Sequence, residues 1–166
     1  GTKVSYRTVS AYAELLSVPA MEALMMEAMQ EAEKPEYTDD DFAYAARFAA
    51  DQASPSIDTA ILPADQSINL GSTDVGDVSW QVPTGLIGVT TEAAGCALHT
   101  WQVVAQGKSP LAHKGMHYAA RILFAAAKKL YESPERCALI QDDYQHVIGH
   151  RTYQSMLPDS VKPGDF

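Results

Sequence analysis

Cysteine is scarce in this chain of 166 residues. Cys96 and Cys137 are the only two, and they are not closely spaced. Neither a disulfide framework nor a cysteine-built zinc site is therefore indicated, and a reducing, cytoplasmic setting is expected. Positive charge is also in short supply, with 12 Lys and Arg against 21 Asp and Glu and a formal net charge of −9. Binding by counterion release needs clustered cations, so this balance argues against a nucleic acid or an anionic membrane surface as the main partner. A small molecule or a protein is expected instead. Long apolar runs are missing as well. No eighteen apolar residues follow one another, and Gly1-Thr2-Lys3-Val4-Ser5-Tyr6 does not place an apolar stretch behind a basic start, so no membrane span or secretion signal is read. What remains, 46% hydrophobic and 20% charged residues, suits one soluble domain with a real core.

Residues 3–9 alternate and are rich in Val, Tyr and Thr, which predicts a β-strand. Ser17-Val18-Pro19 offers a helix start, and Met21, Leu24, Met25 and Ala28 fall on one face of a helix reaching about Glu33. Thr38-Asp39-Asp40-Asp41 has the form of a capping box with an acidic first turn, opening a second helix from about Asp39 to Ala53 with Phe42, Ala45, Ala46 and Ala49 on its apolar stripe. Residues 54–69, with Pro55 and Pro63, predict an irregular connection. The apolar run 85–90 predicts a short buried strand. A strong helical period over residues 114–131, carried by Met116, Ala119, Ala120, Leu123, Ala126, Ala127 and Leu130, ends at Ser133-Pro134. A last helix is expected from Pro134 to about His150, before a proline-punctuated tail.

Several residues carry possible chemistry. His99, within Cys96-Ala97-Leu98-His99-Thr100-Trp101, could offer a neutral imidazole to a metal or serve as a hydrogen-bonded core histidine. His113 and His117 stand four apart, as two ligands on one helical face would, but Lys114 between them opposes a cation there. In the loop Gly71-Ser72-Thr73-Asp74-Val75-Gly76-Asp77, the two aspartates could orient a ligand, contact a substrate or satisfy backbone amides, and the glycines let amide groups approach an anion. Cys96, three residues from His99, could be a nucleophile or a small buried side chain. Arg47, Lys128 and Lys129 read as solvated helix charges.

Taken together, Gly71 to Trp80 with Val82-Pro83-Thr84, then His99-Thr100-Trp101-Gln102, then Gln106 to Met116, resemble the C-terminal part of zinc-dependent amidohydrolases and metallopeptidases. That family includes carboxypeptidase G-type enzymes, aminoacylases and indole-acetyl-amino-acid hydrolases. The likeness is greatest to its aminobenzoyl-glutamate hydrolase branch, and Ser155-Met156-Leu157-Pro158-Asp159 fits that branch too. The resemblance implies an α/β fold, part of a three-layer αβα catalytic domain without its lid domain and N-terminal half. Residues 1–16 would be the exit strand of the inserted lid or dimerisation domain, and residues 17–166 the final catalytic segment. It implies His99 as a zinc ligand, one of the set holding two divalent metal ions, with Thr73 and Asp74 shaping the site or holding substrate. The family's bridging acid, paired glutamates and earlier His or Cys ligands have no counterpart here. An intact enzyme would hydrolyse an amide bond to an amino acid in a small-molecule substrate, while this chain alone would be inactive without the N-terminal part of its catalytic domain. A homo- or hetero-oligomer is compatible with this expectation. The rival expectation is a non-catalytic ligand-binding or interaction module of the same fold.

Overall fold

A computed structural model describes residues 1–49, 55–63, 71–162 and 164. Among them the regular structure is helical: α1 Pro19–Glu31, α2 Asp39–Ala45, α3 Val75–Ser79, α4 Trp101–Gln106, α5 Pro110–Glu132 and α6 Pro134–Ile148. The expected three-layer αβα arrangement is corrected by this finding, because the described residues contain no strand and no sheet. Residues 3–9 and 85–90 have β-type composition, yet a strand forms only where a neighbour accepts its hydrogen bonds and covers one face. Val4 and Tyr6 are 84% and 95% exposed, and Leu86 is exposed in the second segment. No ladder partner faces either segment among the described residues.

The chain divides into two compact units. The first comprises residues 1–22, 66–85 and 135–166. Here Pro19 opens α1 at a position where a missing N–H costs nothing, and the free Ala20 amide donates to the Asp143 carboxylate on α6 at 2.7 Å. Leu16, Val18, Ile140 and Tyr144 are its most buried apolar residues. Ser79 is fully buried, donating to the Gly76 carbonyl at 2.6 Å and accepting from the Leu16 amide at 2.9 Å. Gly76 is required for that approach, since a Cβ there would lie 1.9 Å from the Ala13 carbonyl oxygen.

The second unit comprises residues 23–65 and 86–134. The capping box forms as expected: Thr38 Oγ1 accepts from the Asp41 amide at 3.3 Å, and the Asp41 carboxylate accepts from the Thr38 amide at 2.7 Å. Helix α2 is shorter than expected, closing at Ala45, and residues 50–53 of the longer helix lie outside the described residues, as do residues 54 and 64–69 of the expected 54–69 connection. Its acid Asp41, 6% exposed, forms an ion pair with Lys114 of α5. Ala45, Ile57, Ala93 and Leu111 make the adjoining core, with Tyr37, Phe42, Phe48, Ala49 and Cys96 packed against it.

Helix α5 starts earlier than its period indicated, because Ser109 caps the Ala112 amide at 3.1 Å and Pro110 follows in the first turn. Its buried face is also turned from the expected one. Leu111, Ala112, Gly115, Tyr118, Ile122 and Ala126 face inward, whereas Met116 and Leu123 are about half exposed at 54% and 52%. Gly115 decides the phase: a Cβ there would stand 2.1 Å from the Thr90 carbonyl oxygen, so only the bare Cα lets residue 90 pass so close to the helix. Lys129 is not a solvated charge, since its ammonium bridges Glu27 at 2.8 Å and Glu31 at 2.6 Å on α1. Hydrogen bonding to Glu27, then to Glu31, holds that lysine above its usual range. Lys128 pairs with Glu132 one turn on.

Replacing Gly115 by Ala is expected to destabilise the chain by about 3 kcal/mol, since backbone rather than a flexible side chain must move; urea unfolding followed by far-UV circular dichroism measures it. Burial pushes the Asp41 carboxyl upward, but hydrogen bonds from Lys114 and Thr38, with the lysine charge, outweigh burial and hold it below the ordinary aspartate range. The stabilisation is therefore complete above the unfolded value of about 3.9, and it fades as pH falls through the lower folded value. Asp41→Asn should cost roughly 2 kcal/mol at pH 7 and flatten the loss of stability below about pH 4, as read from chemical unfolding at successive pH values.

Candidate functional site

His99 lies in the second unit, on the turn that enters α4. It is exposed, and its φ of 61° places a non-glycine residue in the left-handed region. Such backbone is uncommon, although histidine tolerates it better than bulkier residues, and it recurs where a side chain must be aimed. The turn is fixed from both sides. Gly95 at φ 77° reverses the chain before it, and Thr100 Oγ1 donates to the Ala97 carbonyl at 2.7 Å behind it. A core-histidine role does not fit this exposed position.

The base of the turn hangs on Gln106, which lies fully buried at the end of α4. Its Oε1 accepts from the Ala93 amide at 2.8 Å, while Nε2 donates to the Gln102 carbonyl at 3.0 Å and to Cys96 Sγ at 3.5 Å. Gln106 was legible only as a motif letter, since nothing local in the sequence announces a buried amide serving partners on both sides of the turn. Cys96 is half-buried, and its thiol donates to the Phe48 carbonyl at 3.3 Å. That bonding describes a packed thiol held by a carbonyl and an amide, with no imidazole among its hydrogen-bond partners, so the geometry gives Cys96 no general base.

Thr73 and Asp74 belong to the first unit, and the structure therefore does not bring them together with His99 in one unit. Both are exposed; Thr73 Oγ1 accepts from the Val75 amide at 3.3 Å, and Asp74 stands at the head of α3 without a side-chain cap. Asp77 has the structural task among the loop acids. Its Oδ1 accepts from the Ala13 amide at 3.1 Å and from the Tyr153 hydroxyl at 3.0 Å. The bond to Asp77, with burial and the carboxylate charge, raises the Tyr153 phenol above its ordinary range. Trp80 completes the same framework: its Nε1 donates to the Glu14 carbonyl at 3.1 Å, and Arg151 lies over its ring at 4.9 Å while pairing with Glu14 at 3.0 Å.

His113 and His117 are both exposed on α5. Lys114 between them is engaged with Asp41, and its ammonium also lies 5.8 Å from the Tyr37 ring centre. The second unit also has a shallow cleft, open to solvent, whose lining includes Lys34, Tyr37, Asp58, Thr90 and Tyr118 but not His99. Tyr118 donates to the Met29 carbonyl at 2.8 Å, and burial raises its phenol.

Among the described residues, no three His, Cys, Asp or Glu side chains come together as metal donors. A zinc site takes three or four protein ligands, so these residues do not by themselves fit the dimetal centre that the resemblance implies. No helix among them is long and apolar enough to cross a membrane. From its bonding, the half-buried Cys96 should react with iodoacetamide at least tenfold more slowly than the exposed Cys137; peptide mass mapping over time gives the ratio.

No protein-family model matches the chain, and no solved structure matches it. It is similar to one of the subunits of the p-aminobenzoyl-glutamate hydrolase of Escherichia coli (strain K12), with 37% identity over 100 residues that make up 60% of this chain and 21% of that protein. The chain thus spans about a fifth of the length of this curated relative, and the identity bears out the resemblance to the aminobenzoyl-glutamate hydrolase branch.

Proposed function

We propose that this chain is a segment of a metal-dependent amidohydrolase that hydrolyses an amide bond to an amino acid, with an aminobenzoyl-glutamate-like or N-acyl-amino-acid substrate. The observation that carries the proposal is the 37% identity to a p-aminobenzoyl-glutamate hydrolase chain. The left-handed turn supports it, because it presents His99 outward on a base fixed by Gln106. In this proposal His99 supplies one ligand to a zinc centre whose other donors lie outside the described residues. Thr73 and Asp74 contribute to the shape of the substrate site. Residues 1–16 connect to a lid or dimerisation domain, and the naming of the relative as a subunit favours assembly with a second kind of chain. One imidazole cannot assemble the donor set on its own, so the chain by itself is inactive.

The test is made in a longer enzyme that contains this segment. His99→Ala should remove one equivalent of zinc, measured by elemental analysis, and lower hydrolysis of p-aminobenzoyl-glutamate by about a hundredfold or more. Asp74→Asn should leave the zinc content unchanged while lowering hydrolysis by about tenfold. The 166-residue chain alone should neither retain zinc through gel filtration nor hydrolyse the amide. Full zinc and full activity in the His99→Ala enzyme would overturn the assignment of His99 as a ligand, whereas a longer protein that neither holds zinc nor cleaves the amide would leave a non-catalytic binding module.

A further inference from the structure

The end of α2 and the start of α4 place three aromatic rings and one guanidinium beside the His99 turn. Trp101, two residues after His99 and first in α4, is 71% exposed. An indole left so open is unusual, since Trp is highly buried on average. Its ring meets Phe48 edge-on at 6.4 Å between centres, and Phe48 meets Tyr44 at 5.2 Å. The Arg47 guanidinium lies 4.7 Å from the centre of the Tyr44 ring and 6.0 Å from that of Phe48. All four residues belong to the second unit. The backbone that carries them is fixed by the turn closing α2, in which the Arg47 amide donates to Tyr44 and the Phe48 amide to Ala45.

The cation is the informative member. In a chain with 21 acidic residues and a net charge of −9, Arg47 holds no carboxylate among the described residues and rests on aromatic rings instead. A guanidinium lying against rings keeps its N–H fork at the periphery, where a planar anion can accept two parallel hydrogen bonds. An exposed indole nearby offers an apolar plate for a flat ring. We propose that Arg47, Tyr44, Phe48 and Trp101 form a binding site for an aromatic carboxylate, with the guanidinium taking the carboxylate and Trp101 taking the ring. For the amidohydrolase role, which this extends, the pair would select amides bearing an aromatic ring and an acid. The site itself needs no metal and no hydrolysis.

The full 166-residue chain is titrated by NMR with benzoate, benzamide and cyclohexanecarboxylate. Benzoate should bind at least tenfold more tightly than either of the others, shifting the Trp101 indole resonance. Arg47→Gln should weaken benzoate by about tenfold and erase the difference between benzoate and benzamide, with Arg47→Lys recovering part of the loss. Trp101→Leu should erase the difference between benzoate and cyclohexanecarboxylate. Both positions are exposed, and an unchanged far-UV spectrum verifies that each variant folds. Benzoate affinity unaltered by both variants, or absent from the parent chain, would overturn the proposal. Benzoate binding with this pattern in a longer enzyme that fails to cleave p-aminobenzoyl-glutamate would remove the amidohydrolase role and leave the site. Cleavage lost with His99→Ala but with KM unaffected by Arg47→Gln would do the reverse.

Discussion

The buried carboxylate of Asp41 is the constraint on which the second unit depends. One side chain closes the capping box at the head of α2 and takes the ammonium of Lys114 from α5. A seven-residue helix has too few internal hydrogen bonds to persist alone in water, so α2 exists because its first turn is tied to a longer helix. Its far end leads into Tyr44, Arg47 and Phe48, and the Phe48 carbonyl receives the Cys96 thiol beneath the His99 turn. The charge pair is thus linked through α2 to the aromatic cluster and to the turn that holds the candidate ligand. The same pair accounts for the cation between His113 and His117, since Lys114 is committed to Asp41.

Local chemistry was legible and long-range partnership was not. Thr38 with Asp41, or Pro19 at the head of α1, act within a few residues, so their meaning is written in adjacent letters. The phase of α5 was not, because the helix carries apolar residues on more than one face and the choice falls to Gly115, whose role appears only when the Thr90 carbonyl lies against it. The alternation over residues 3–9 is a property of side chains, whereas a strand is a property of a pair of segments. Lys129 looked solvated for the same reason: its acids, Glu27 and Glu31, are remote in sequence.

For the candidate site, the order His99-Thr100-Trp101 was visible, and so was the loop around Asp74. The left-handed backbone at His99 was not, because histidine has no fixed preference for it and the turn is set by Gln106, several residues on. Asp77 and Asp74 were equivalent as letters, and the structure separates them: one is consumed by Ala13 and Tyr153, and the other stays exposed. Arg47 resembled any charge at a helix end until the rings beneath it came into view.

Gly76 and Gly115 share a circumstance, one in each unit: a carbonyl oxygen from another stretch of chain occupies the place where a side chain would begin. Neither residue touches a candidate ligand or offers a group for catalysis. Even so, a lineage is free to exchange most of the residues around them, while every alternative at these two positions drives a methyl group into backbone. Invariance there would be as strict as at a catalytic residue, and it would record crowding between chain segments instead of chemistry.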